Sequence, residues 1–283
     1  MSDLESERPP RRVCGLEVVA VLPAAGQSKR LGLLPCSKEL FPVAFTTDGT
    51  TGRPRPKAVA EFLLDKLVRA GVTRGVLVIR SGKWDIPTYF GDGRAFGLDL
   101  TYVVIGGSSG PPDSVDRAFP HIQNQVVAFG FPDILLEPAD VFSPMLAQLD
   151  TGQRDVVLGL FPAGHDCRAM DMVAYDEAGT VQSITLKPDT TTLHYAWACA
   201  VWTPAFTEYL HRFMRSEAMQ RRAGLGGATR IDAGGDIPVG AVFKVAVDDG
   251  MRVGCIPFAD GHYTDVGTPA DLMRASTTFR QPR

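Results

Sequence analysis

The chain has 283 residues, enough for one large domain with a sizeable core, and its 45% hydrophobic and 22% charged residues are ordinary for a globular protein. A net charge of −3 gives no electrostatic case for a nucleic-acid partner. No run approaches the roughly 18 uninterrupted apolar residues of a membrane span, so no membrane partner is expected.

The N-terminus, MSDLESERPPRR, lacks the apolar stretch of a secretory signal and reads as a flexible arm over 1–16, leaving a single domain over 17–283. EVVAVL (17–22) reads as a buried strand. The stretch 56–71 has Val59, Phe62, Leu63, Leu67 and Ala70 at helical spacing, with Pro56 suited to a first turn and Gly71 to a C-terminal cap, and predicts a helix. Strands follow at 75–80, 100–105 and 125–130, a helix at 138–149 and a strand at 155–161. Strands alternating with helices predict a three-layer α/β/α, Rossmann-like domain with a mixed, mainly parallel central sheet. Further on, 172–186 holds two strand-like runs around Asp-Glu-Ala-Gly, a hairpin pattern. WACAVWT predicts a strand, TPAFTEYLHRFMRS a helix, and AGLGGATRIDAGGDIP (223–238) a surface loop. Trp197, Trp202, His194 and His262 read as structural.

The five cysteines (Cys14, Cys36, Cys167, Cys199, Cys255) are widely spaced with no C-x-x-C pair. That argues against a disulfide framework and a structural zinc, and for reduced thiols in a cytoplasmic protein. Cys36 has no local signature of a nucleophile.

The first strand runs into VLPAAGQSKRLGLLPCSKELFPV (21–43). Small residues after a strand let backbone N–H groups approach a ligand closely, and phosphate is the common one. Arg30 and Lys38 would add fixed positive charge; the alternative is a solvated loop. Neither the G-x-x-x-x-G-K-[ST] nor the G-x-G-x-x-G spacing is present, which disfavours a Walker loop and an NAD(P) domain. Asp133 follows the strand at 125–130, and Asp265 precedes a Gly-Thr-Pro turn opening a predicted helix. Together they could hold Mg²⁺ against a triphosphate; singly, each is a turn or cap residue.

Taken in order, these segments resemble the sugar-1-phosphate nucleotidyltransferases, above all those of the glucose-1-phosphate thymidylyltransferase type. The likeness rests on Leu22-Pro23-Ala24-Ala25-Gly26 through Leu31, Ser37-Lys38-Glu39-Leu40-Phe41-Pro42-Val43, the Gly-Asp-Gly segment at 91–93, Phe131-Pro132-Asp133, Leu186-Lys187-Pro188 and Tyr263-Thr264-Asp265-Val266-Gly267-Thr268. It implies a nucleotide-binding half over about 17–135 and an acceptor-binding half over about 136–283. It also implies condensation of a nucleoside triphosphate with a sugar 1-phosphate, or sugar-like phosphate, to a nucleotide-sugar and pyrophosphate. By the resemblance Arg30 and Lys38 are catalytic, neutralising the phosphates. Leu22, Ala24, Ala25, Gly26 and Asp133 bind the nucleotide, Asp133 and Asp265 hold Mg²⁺, and Lys187 and Asp171 face the acceptor. A homo-oligomer is a further expectation.

The chain departs from the family at identifiable points. Ser28 replaces a Gly of the first loop, and Gly32 stands where Pro is usual. Ile105 replaces the Gln that reads the base. On the sugar side Asp171 replaces a Gly, Leu186 replaces the Glu before Lys-Pro, and Cys199 another Gly. Leu186 cannot accept sugar hydroxyls; Asp171 would repel a second phosphate and favour a hydroxyl or an amine. Two readings follow: a transferase with an unusual acceptor, or a non-catalytic homologue that binds a nucleotide or nucleotide-sugar.

Overall fold

A computed structural model of the chain describes residues 9–49, 51–164, 167–225 and 236–278. In the first half, β1 (Arg12–Val13) and β2 (Leu16–Ala24) lead to a hairpin of β3 (Pro42–Thr47) and β4 (Pro54–Ala58). Then come α1 (Val59–Arg69), β5 (Arg74–Arg80), α2 (Asp85–Phe90), β6 (Asp99–Ile105), α3 (Pro111–Arg117), α4 (Phe119–Ile122), β7 (Val126–Gly130) and β8 (Ile134–Glu137). The second half holds α5 (Phe142–Asp150), β9 (Val156–Pro162), β10 (Asp171–Tyr175), β11 (Val181–Leu186), β12 (Tyr195–Trp202), α6 (Pro204–Arg215) and α7 (Glu217–Gln220). It ends with α8 (Val239–Asp248), β13 (Val253–Pro257), β14 (His262–Asp265) and α9 (Pro269–Thr278).

The central sheet runs β11-β10-β12-β7-β2-β5-β6, with β9 and β13 attached to β12. β7, β2, β5 and β6 are mutually parallel, as the alternation of strand and helix in the sequence implies. β12 joins antiparallel on β7, so the sheet is mixed. Strand periodicity sorts β2 onto two cores. Val18, Ala20 and Leu22 pack with Leu63, Leu64 and Leu67 of α1 and Phe142 and Met145 of α5. Val19 and Val21 face the opposite way, into a core with Val115, Phe206, Phe213, Val242 and Phe243. The three-layer α/β/α expectation therefore holds. Trp202 lies wholly in the second core with its indole N–H on Thr207 Oγ1 at 3.0 Å, as its structural reading requires.

Several expected boundaries move. The helix of 56–71 begins at Val59, because Pro54–Ala58 is instead a strand of the β3–β4 ribbon. A two-stranded ribbon tolerates prolines that a central strand would not. The helix start is set by Glu61, which accepts the Ala58 N–H at 2.9 Å and both arms of Arg55 at 2.9 and 2.6 Å. The helix of 138–149 begins at Phe142, after a turn in which Asp140 accepts the Ser143 N–H at 3.3 Å. The arm expected over 1–16 is ordered in its last part. There β1 pairs with β2, Arg11 N donates to Gly71 O at 3.0 Å, and Val13 is fully buried. Within the loop expected at 223–238, residues 226–235 lie outside the described residues. No helix among the described residues is long and apolar enough to cross a membrane.

Candidate active site

The site is built at the carboxyl ends of β2 and β7, where ligands of open α/β sheets bind. Leu22, Ala24 and Ala25 are buried at the end of β2, while Gly26 is exposed. The Ala24 carbonyl accepts from Lys83 Nζ at 2.9 Å, and Lys83 is also paired to the buried Glu39 at 2.8 Å. Burial raises the Glu39 carboxyl above its ordinary value, and Lys83 opposes that rise.

This lysine fastens the start of the loop to the Ser37-Lys38-Glu39 turn. Asp85 holds the same turn from the other side, accepting the Ser37 N–H at 2.6 Å and its hydroxyl at 2.8 Å. Between the two anchors, Lys38 points at Asp133 and donates to its Oδ2. Burial alone would lower the Lys38 ammonium, but the Asp133 carboxylate outweighs this and holds it above its ordinary value.

Asp133 lies in the turn between β7 and β8, just before Ile134, and is 9% exposed. β8 and β14 pair antiparallel with Asp265 opposite Ile134, and Val266 N donates to Asp133 O at 2.9 Å. Two carboxylates far apart in sequence are thus set side by side. Burial and the neighbouring Asp133 push the Asp265 carboxyl up to about 6, against the pull of Lys38 and Arg30. Arg30 reaches Asp265 at 3.9 Å from an exposed position. Gly267 permits this approach, since a Cβ there would meet Arg30 Nη2 at 2.9 Å and Asp265 Oδ2 at 3.0 Å. All four predicted phosphate and metal residues therefore converge: Arg30, Lys38, Asp133 and Asp265.

The loop's departures have local reasons. Ser28 sits in the left-handed region (φ 54°, ψ 27°), where Gly is unstrained, so the turn survives the replacement at a cost of about 1 kcal/mol. Gly32 has φ 74°, which proline cannot adopt, so the chain leaves the loop by a different path here. Ser28→Gly should accordingly raise the melting temperature by roughly 1–3 °C, a net of strain relief over unfolded-chain entropy, read by calorimetry. Gly26 differs: its φ is not positive, and a Cβ would meet nothing within 4 Å. Gly26→Ala should leave the melting temperature unchanged yet weaken triphosphate binding about tenfold, because only a bound ligand would feel the methyl. Equal triphosphate affinity in titration calorimetry would show that Gly26 has no part in the site.

On the acceptor side, β10 and β11 pair Asp171 with Leu186. The acid missing at 186 thus has its counterpart on the neighbouring strand, directly across the ladder. Asp171 is 8% exposed; burial raises its carboxyl, while the Lys187 charge, the Trp197 indole and the Lys187 N–H favour its ionised form. Lys187 adopts φ 41°, turning the chain just after β11. Tyr263 lies between the two ends of the site: burial first, then Asp265 and Asp171, raise its phenol.

Tyr263, Trp197, Lys83, Glu39 and Asp85 were not among the predicted site residues. Tyr263 was within reach of sequence reasoning, since it shares a strand face with Asp265. Lys83 and Asp85 carry no local signal. Cys36 is not activated: burial, Asp85 and Glu39 all push its thiol up. His262 pairs with Glu137 at 3.3 Å, away from the carboxylate pair.

No family model matches the chain. A curated relative, the low-salt glycan biosynthesis nucleotidyltransferase Agl11 of Haloferax volcanii, is 22% identical over 241 residues. That alignment spans 84% of this chain but 59% of the relative, less than two thirds of its length. Among solved structures, a Bacillus anthracis protein assigned provisionally as a glucose-1-phosphate thymidylyltransferase, in complex with sucrose, superposes with a TM-score of 0.74. It is 17% identical, and the match covers 94% of this chain and 96% of that one. A UDP-glucose pyrophosphorylase complexed with UDP-glucose superposes with a TM-score of 0.71 at 16% identity, covering 92% and 97%. The fold is that of these two solved structures, and the sequence is similar, at 22% identity, to the Haloferax volcanii nucleotidyltransferase.

Proposed function

We propose that this chain is a Mg²⁺-dependent nucleotidyltransferase that joins a nucleoside triphosphate to a phosphorylated sugar or sugar-like acceptor and releases pyrophosphate. The observation that carries the reading is the β8–β14 pairing, which sets Asp133 beside Asp265 within reach of Lys38 and Arg30. Such a transfer needs no protein nucleophile: an acceptor phosphate oxygen attacks the α-phosphorus in line, the bond to the β-phosphate bridging oxygen breaks, and pyrophosphate leaves. The protein's part is positioning and charge neutralisation.

In this reading the small residues from Ala24 to Gly26 admit the nucleoside triphosphate to the backbone. Lys38 lies over the reacting phosphate and Arg30 stabilises the leaving pyrophosphate. Lys187 holds the acceptor phosphate. The carboxylate pair fits a divalent cation, because burial and Asp133 keep the Asp265 carboxyl raised to about 6 even with Lys38 and Arg30 beside the pair, so the two acids still favour added positive charge. Bound there, Mg²⁺ would supply charge neutralisation for the triphosphate. The relatives' names support a sugar phosphate as the acceptor.

The test is pyrophosphate release with Mg²⁺, each of dTTP, UTP, CTP, GTP and ATP, and a panel of sugar 1-phosphates. Release with one pair names both substrates. No release across the panel, with triphosphate still binding, favours the second reading of a nucleotide-binding homologue without turnover. One observation motivates that reading. Ile237 N donates to Ser109 O at 2.7 Å, laying its backbone against Gly110 in the segment that would read the base.

A further inference from the structure

Asp171 and Trp197 form a second polar constellation, on facing strands. β10 and β12 are antiparallel with Met172 opposite Ala196, which places 171 opposite 197 on a shared face. Each residue is 8% exposed. Asp171 Oδ1 and Trp197 Nε1 are both buried and have no hydrogen-bond partner among the described residues. The two are close enough for the indole to favour the ionised carboxyl, yet they do not reach hydrogen-bond geometry with each other. The other oxygen, Oδ2, packs against the α-carbon of Gly240 in the first turn of α8; a Cβ there would lie 2.1 Å from it. Glycine at 240 therefore makes room for the carboxylate, and the packing fixes the direction of the carboxyl group. Leu186, across the ladder on the other side, can offer nothing to Oδ1.

Buried polar atoms without partners are costly, and a fold keeps them where a ligand completes them. The missing partner must accept from Trp197 and donate to Asp171. A neutral hydroxyl does both. An ammonium has no acceptor and leaves the indole unpaired; a hydrogen or methyl leaves both unpaired.

We infer that Asp171 and Trp197 select a hydroxyl of the acceptor and reject an amino or deoxy group at that position. This rests on the transferase reading for the identity of the acceptor as a sugar-type phosphate, and it deepens that reading by choosing between hydroxyl and amine. Asp171 accepts the hydroxyl proton and Trp197 donates to its oxygen. Both are specificity determinants and take no part in the transfer step itself.

The experiment measures binding and pyrophosphate release with glucose 1-phosphate, its 2-, 3-, 4- and 6-deoxy forms and its 2-amino, 3-amino, 4-amino and 6-amino forms. In the wild type, one position should show a loss of roughly 10- to 1000-fold for both the deoxy and the amino form. Trp197→Phe removes the donor, and at that position should turn discrimination towards the amino form, whose ammonium then pairs with Asp171 alone. Asp171→Asn should lose the hydroxyl preference without gaining an amino preference. Melting curves establish that both variants fold.

Equal affinity for the hydroxyl, deoxy and amino probes would mean that water alone bridges the two atoms, and would overturn the inference. So would an amino preference in the wild type, or a discrimination that Trp197→Phe leaves unchanged. Failure of every sugar probe to bind also overturns it. Pyrophosphate release from some other phosphate would at the same time leave the transferase reading standing, so the two failures are distinguishable.

Discussion

Asp265→Asn should abolish turnover and yet make the protein more stable at neutral pH. Turnover should fall on the order of 100-fold or more, because in the proposed function Asp265 is one of the two acids that would hold the Mg²⁺ neutralising the triphosphate. The stability gain follows from linkage. The folded-state carboxyl is raised to about 6 from its ordinary value of 3.8, so the native state disfavours its ionised form. Wild-type stability therefore declines as pH rises from about 4 to about 6 and stays lower above that. The asparagine cannot ionise and escapes the decline. The side chain is 45% exposed, so after solvent screening the gain is on the order of 1 kcal/mol. Melts at pH 4 and pH 8 check it: the variant should match the wild type at pH 4 and exceed it at pH 8. Retained pyrophosphate release in both Asp265→Asn and Asp133→Asn would remove the metal assignment.

Replacing Lys38 should have the opposite effect on stability and an equally large one on turnover. Its ammonium is 16% exposed and its partner Asp133 12%, so Lys38→Met leaves a largely buried carboxylate without its countercharge. Breaking such a pair should cost about 2 kcal/mol, or roughly 4–8 °C in melting temperature. Pyrophosphate release should drop on the order of 100-fold through loss of charge at the reacting phosphate. The double variant Lys38→Met with Asp133→Asn separates the two effects: it should regain most of the stability and none of the turnover. Arg30 is 69% exposed, so Arg30→Met should leave the melting temperature within a degree or two while still weakening triphosphate binding. A large stability loss in Arg30→Met would assign it a structural role instead.

The parts of this site legible in sequence are those carried by short-range signals. β2 shows as an apolar run, Lys38 and Arg30 as basic residues in a small-residue loop, and Asp133 and Asp265 as acids at element ends. Their convergence came only from the ordered resemblance, since nothing local relates residue 133 to residue 265. The illegible parts depend on contacts distant in sequence. Lys83 looks like any surface lysine until it is found between Ala24 O and Glu39. Pro56 reads as helix-opening punctuation, because a two-stranded ribbon leaves no long apolar alternation. Asp171 was legible as a departure from a pattern. That it lies directly across the ladder from Leu186 required the β10–β11 register.

The pairing of β14 with β8 also has a consequence for when the site comes into being. β14 is the final strand of the described chain, whereas the strand it completes lies before its midpoint. During synthesis, the loop after β2, the Lys38–Asp133 pair and the Lys83 anchor all emerge long before Asp265. A growing chain therefore has its loop after β2 and the Lys38–Asp133 pair in hand while the second acid is still unmade. In the proposed function, full affinity for a charged triphosphate would arrive only with the last strand, which would then act as a completion signal: a chain interrupted before it would not sequester the nucleotide.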